Sequence, residues 1–160
     1  MDVRKGGRES RPTFRFQVLF AFPTRGTLNH MGRIMVPVRI TSTMDPQQQL
    51  SFNGLVDTGA YGIILPSSWR AAIGELQVVR IVELETAEGR TVSGVVCGPV
   101  TIEIEGFDRI VGEVTFIDCA DEARAEPLIG HTVLQLARAA VDMAHDRLVH
   151  VRYLDLKLVA

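Results

Sequence analysis

The chain has 160 residues, enough for one ordinary domain with a real hydrophobic core. Apolar residues make up 46% and charged residues 22%, the usual proportions of a soluble globular protein. A formal net charge of -2 argues against a nucleic-acid binder, a class marked by a basic face.

Residues 1–12 are polar and charged and are expected to form a disordered leader, with a single domain over 13–160. Basic residues there precede an apolar stretch over 14–22, the arrangement of a signal peptide. In that stretch, however, Phe14, Phe16, Val18, Phe20 and Phe22 fall on alternate positions, with Arg15 and Gln17 between them. Period two with an internal charge predicts a half-buried strand, and no small-residue cleavage site follows. No other segment approaches the apolar length of a membrane span, so a cytoplasmic protein with no membrane partner is expected.

A second strand is predicted over 33–40, where Ile34, Val36, Val38 and Ile40 alternate with other residues. The polar segment 41–49 reads as a loop, and 50–56 as a strand leading to Asp57. An apolar strand resumes over 62–65. Pro66-Ser67-Ser68 opens a short helix through about Ile73, which Gly74 can stop. Strands over 78–85 and 91–96 flank Thr86-Ala87-Glu88-Gly89-Arg90, where Gly89 can supply the positive φ of a hairpin turn. Strands over 100–104 and 111–117 form a further pair. After Leu128-Ile129-Gly130 a helix is predicted over about 132–139, with Thr132 and Gln135 at capping-box spacing. A last hairpin joins 141–143 to 148–151. Many short strands with two short helices predict an all-β barrel or sandwich.

The segment Leu55-Val56-Asp57-Thr58-Gly59-Ala60 carries the chemistry. Two apolar residues lead an acid out of a strand, where only hydrogen bonds or a partner make a poorly solvated carboxylate tolerable. Gly59 leaves room for a backbone N–H to approach it, and Thr58 offers a hydroxyl to lock the loop. The triplet alone is weak, since an Asp-Ser/Thr-Gly arises by chance in on the order of 7% of chains this long.

Its context is specific. The stretch VDTGAYGIILP resembles the active-site strand-loop-strand of the retropepsin-like aspartic peptidases. Downstream, ETAEGRT is similar to the glycine-bearing flap hairpin of the bacterial and archaeal single-domain members, placing the flap at about residues 85–92. PLIGHTVL resembles the second signature of the family, in which Leu128, Ile129 and Gly130 precede a helix. AAVDMAHDRLVHV is similar to its closing hairpin. The four elements stand in the family's order and cover about residues 31–151. Tyr61 departs from the pattern, standing where relatives carry a small or acidic residue, and the strand over 14–22 lies upstream of the usual start.

The resemblance implies an all-β, retropepsin-like acid-protease barrel protomer with one or two short helices that pairs with a second copy. Asp57 would be the catalytic residue, supported by Thr58, Gly59 and Ala60. Thr86, Ala87, Glu88, Gly89 and Arg90 would form the flap over a polypeptide substrate. The 160 residues contain no second Asp-Thr/Ser-Gly, so the other acid is expected from Asp57 of the partner copy across a two-fold axis. The expected activity is aspartic endopeptidase, with neither cofactor nor metal. The competing reading is a catalytically weak or inactive dimerisation or peptide-binding module on the same fold.

Other residues receive plainer readings. Cys97 and Cys119 lack CxxC spacing and are expected as reduced thiols. The four histidines have no HExxH spacing, and His131, directly after Gly130, is expected near the dimer cleft without a required catalytic role. Trp69 is expected as a core or interface anchor, and Asp142 as a structural acid before the final turn. The strand over 14–22 has two expected homes: the dimer interface beside the alternating tail 152–158, or the substrate cleft.

Overall fold

The structure, a computed structural model, describes residues 15–17, 32–86, 89–119 and 125–151. Its strands are β1 (Arg15–Gln17), β2 (Met35–Ser42), β3 (Gln49–Val56), β4 (Ile63–Pro66) and β5 (Val78–Glu85). They continue as β6 (Thr91–Ile104), β7 (Ile110–Ile117), β8 (Leu128–Ile129), β9 (Ala139–Asp142) and β10 (Arg147–His150). Two short helices complete the described elements, a 3-10 turn over Ser67–Ile73 and α1 over His131–Leu136.

Six strands close on themselves in the order β6-β2-β3-β8-β4-β7, with β7 pairing back onto β6. Closure removes the free edges of an open sheet, and the alternation of apolar residues directs one side of each strand inward. Val38 and Ile40 from β2, Ile63 and Leu65 from β4, and Val114 and Phe116 from β7 are buried together with Ile102 of β6. The 3-10 turn and α1 plug the core with Ile73, Val133 and Leu134. Gly74 ends the 3-10 turn as expected, with φ +77 and its N–H on Ala71 O at 3.3 Å. Trp69 is half-buried and meets Phe52 edge-on, with centroids 5.9 Å apart, which makes it a core anchor.

Three expected elements differ. The strands predicted over 91–96 and 100–104 are one 14-residue strand, β6. Gly98-Pro99 does not interrupt it because the pair falls where the β6–β7 register shifts between Cys97 and Val100, a place where a missing N–H costs no ladder bond. Second, α1 is shorter than predicted, since Arg138 adopts φ 53 and the chain enters β9 at Ala139. Third, α1 begins at His131 with Gly130 at its N-cap, so Thr132 lies inside the helix, makes no capping box with Gln135, and donates its hydroxyl to Tyr61 O.

The β9–β10 hairpin matches its prediction in kind and starts two residues earlier, at Ala139. Asp142 holds its turn as a structural acid, accepting from Ala144 N at 3.2 Å, His145 Nδ1 at 2.9 Å and Arg147 Nε at 3.3 Å. Partial burial pushes its carboxyl up, but these hydrogen bonds outweigh burial and hold it below the usual carboxylate range. Cys97 lies in the core, where burial raises its thiol pKa, and neither cysteine forms a disulfide. Among the described residues no helix is long and apolar enough to cross a membrane.

β5 stands outside the closed ring, pairing on one side with β6. Its other edge is taken by β1 in parallel register, Arg15 opposite Glu83, Phe16 opposite Leu84 and Gln17 opposite Glu85. This parallel pairing is the place of β1 within the single chain. The remainder of segment 14–22 and the tail 152–158 lie outside the described residues. A protein starting at Met31 should therefore lose a partner strand from the edge of β5. The outward amides of β5 near Leu84 should then exchange with solvent roughly 10-fold faster, the equivalent of about one net hydrogen bond. Amides in the β2–β3 ladder should keep their protection, and unchanged exchange near Leu84 would mean that β1 does not pair there in solution.

Candidate active site

The site is built where β8 is inserted between the two strands that flank Asp57. Leu55 and Val56 of β3 pair in parallel with Leu128 and Ile129, while Ile63 and Ile64 of β4 run antiparallel to Ile129 and Leu128. The chain from β3 to β4 thus wraps around β8. Asp57 continues the first pairing by donating its N–H to Ile129 O at 3.0 Å.

Beyond that bond the backbone turns sharply. Ala60 N donates to Asp57 O at 3.1 Å, closing a turn with Thr58 and Gly59 exposed at its tip. Within the turn the Gly59 N–H reaches Asp57 Oδ1 at 2.8 Å. The close approach expected of Gly59 is therefore made to the carboxylate itself, and a Cβ there would stand 3.1 Å from the same oxygen. Asp57 is half-buried, and its second oxygen accepts no hydrogen bond among the described residues. Ala60 is fully buried and Tyr61 is 43% exposed.

Leu128, Ile129 and Gly130 meet this loop directly. Leu128 and Ile129 are buried β8 residues, and Gly130 N donates to Gly62 O at 2.9 Å. A Cβ on Gly130 would come within 2.6 Å of Gly62 N and of the Tyr61 carbonyl carbon, and closer still to Ala60 O. Gly130 has φ -87, so space and not backbone conformation demands glycine here.

A second apolar cluster joins the loop to the β5–β6 hairpin. Ala60, Ile64 and Leu128 are buried with Leu84 of β5 and Ile117, and Val82 and Val92 pack against them. The hairpin turn closes with Thr86 N on Arg90 O at 2.8 Å and Gly89 N on Thr86 O at 2.9 Å. Thr86 is buried, its hydroxyl accepting from Arg90 N at 3.2 Å, and Gly89 has the positive φ expected of it, +75. Ala87 and Glu88 lie outside the described residues. Side chains from both strands of the hairpin thus pack toward Ala60, the small residue that follows Asp57-Thr58-Gly59.

Sequence reasoning set His131 near the cleft but gave neither it nor Thr132 a part in holding the loop. The His131 Nδ1 lies 2.9 Å from Ala60 O, and Tyr61 meets the imidazole edge-on at 5.6 Å and 87°. Thr132 bonds to Tyr61 O through both its N–H and its hydroxyl. The only sequence signal was adjacency to Gly130, which does not say where a side chain points. No group of three His, Cys, Asp or Glu residues among those described is arranged to hold a metal ion.

No protein-family model matches the chain, and no curated protein is significantly similar to it in sequence. Among solved structures it is similar to EIAV protease, determined in complex with the inhibitor HBY-793, with a TM-score of 0.51 and 22% identity. The similarity covers 69% of this chain and 92% of the protease chain. With its closed six-strand barrel, short helices and acid loop wrapped around β8, the chain has the retropepsin-like protease fold.

Proposed function

We propose that the protein is an aspartic endopeptidase whose active site forms when Asp57 meets Asp57 of a second copy. The observation that carries this reading is the carboxylate itself. It stands half-buried at the end of β3, with Oδ1 fixed by the Gly59 N–H at 2.8 Å and its other oxygen accepting no hydrogen bond among the described residues. The fold shared with a protease supports it.

Two such carboxylates within hydrogen-bond reach cannot both ionise easily and share one proton, as in aspartic proteases generally. The ionised member takes a proton from a water molecule as its oxygen bonds to the scissile carbonyl carbon, and the protonated member gives its proton to the carbonyl oxygen. Collapse of the tetrahedral adduct breaks the C–N bond, the nitrogen leaves protonated, and the dyad returns to its shared-proton state. The substrate lies extended beneath the β5–β6 hairpin, with backbone groups free to pair with strand edges. Thr58, exposed at the tip of the turn, faces the partner loop and keeps the two acids in register.

A site shared between two chains has a concentration signature. Specific activity on unfolded casein at acidic pH should fall on dilution, in step with dissociation measured by sedimentation. Activity per chain that stays constant into the monomeric range would contradict the shared site. A folded dimer without Asp57-dependent cleavage would favour the binding-module alternative.

A further inference from the structure

We propose that His131 and Thr132 are positioning residues for the Asp57 carboxylate, acting through the carbonyls of Ala60 and Tyr61. This inference rests on the peptidase reading for its kinetic consequence, while its structural content is independent of it.

Two consecutive carbonyls of the loop each receive two donors from two consecutive residues. Ala60 O accepts the His131 N–H at 3.0 Å and lies 2.9 Å from His131 Nδ1. Tyr61 O accepts the Thr132 N–H at 3.0 Å and also the Thr132 hydroxyl. A carbonyl oxygen has two lone pairs and can only accept, so Nδ1 is the protonated imidazole nitrogen in this contact. One backbone bond would already satisfy each carbonyl, so the side-chain bonds add constraint beyond satisfaction. Gly130, which has no side chain, stands at the N-cap of the helix, so the Thr132 hydroxyl lies in the first turn and donates to the loop without taking a cap from the helix.

The clamp is connected to the carboxylate by a short relay. Ala60 is held at its oxygen by His131 and at its nitrogen by Asp57 O, 3.1 Å away. The turn that this last bond closes is the one in which Gly59 N–H points at Asp57 Oδ1. Freeing Ala60 O lets the turn open and the carboxylate lose its aim, and small misplacement of a catalytic group is costly in rate. The Tyr61 ring packs edge-to-face with the imidazole, centroids 5.6 Å apart, and adds a contact that holds His131.

The experiment compares His131→Leu and Thr132→Val with the conservative His131→Asn and Thr132→Ser, each as the full-length dimer. Asn can place its amide N–H near the position of Nδ1, and Ser keeps the hydroxyl. The readouts are kcat and KM on a peptide cleaved in an Asp57-dependent manner, and the NMR shift of the Gly59 amide. The expected result is a kcat loss of roughly 10- to 100-fold for the Leu and Val variants with KM little changed. The Gly59 amide should move upfield in those variants as its bond to the carboxylate loosens. The Asn and Ser variants should recover most of the rate and the wild-type shift. Unchanged kcat and Gly59 shift in the Leu and Val variants would overturn the proposal, as would equal losses in the conservative pair. Thr132→Val is nearly isosteric and decides the matter if His131→Leu folds poorly. If the wild type cleaves nothing, the peptidase reading fails and the Gly59 amide alone decides whether the clamp exists.

Discussion

Asp57→Asn is expected to remove peptidase activity, by on the order of 10²–10⁴-fold, while leaving the dimer folded. An amide can neither take the proton of the attacking water nor share one with a neighbouring carboxylate. Its carbonyl oxygen can still accept the Gly59 N–H that reaches Asp57 Oδ1 at 2.8 Å, so the turn should survive. The loss should also be dominant. Mixing wild type with excess variant should poison activity, because each heterodimer carries a single acid. Turnover measured on a fluorogenic peptide, with dimer content followed by light scattering, separates chemistry from assembly. Wild-type turnover by the variant would end the aspartic-peptidase reading.

Gly130→Ala is expected to have the largest effect on stability among single-methyl changes near the site. The added Cβ would meet Gly62 N and the Tyr61 carbonyl carbon at 2.6 Å, with Ala60 O nearer still. All three are backbone atoms of a loop pinned to β8 and α1, so no side chain can rotate away. Overpacking usually costs about 1–3 kcal/mol, and a rigid backbone neighbour puts this site at about 3 kcal/mol or more. Against a total stability of about 5–15 kcal/mol, that is a large fraction. Urea unfolding followed by tryptophan fluorescence measures it through Trp69, the single tryptophan of the chain. Gly54→Ala is the control, since its nearest neighbours would be side chains, Ile129 at 2.6 Å and 2.7 Å and Phe52 at 3.4 Å, and a side chain can shift. Equal stability of Gly130→Ala and wild type would mean that the loop and the Gly130 turn are not packed as described.

The sequence by itself determined those elements whose physics is local. Alternation marked β2, because a strand with one buried face repeats every two residues. Gly74 and Gly89 announced their turns, and both have positive φ. Asp57-Thr58-Gly59 announced a carboxylate met by a backbone N–H, and Gly59 makes that bond. Each of these signals lies within a few residues of its consequence.

Tertiary structure decided what depends on residues distant in the chain. β8 is two residues long, too short for any periodicity, and becomes a strand because Leu55 and Val56 pair with it from 73 positions away. β6 runs unbroken through Gly98-Pro99 because β7 shifts register there, which the local appearance of a breaker conceals. β1 lies on the edge of β5, and its sequence could not say so, because an apolar alternating strand can pair with any open edge and only the assembled sheet shows which edge is open. His131 and Thr132 looked like a bystander and a helix cap, yet both side chains turn to carbonyls 71 positions earlier. A hydroxyl or an imidazole near a helix start has more than one acceptor within reach, and the fold, by bringing the Asp57 loop against Gly130, supplied the one that each side chain uses.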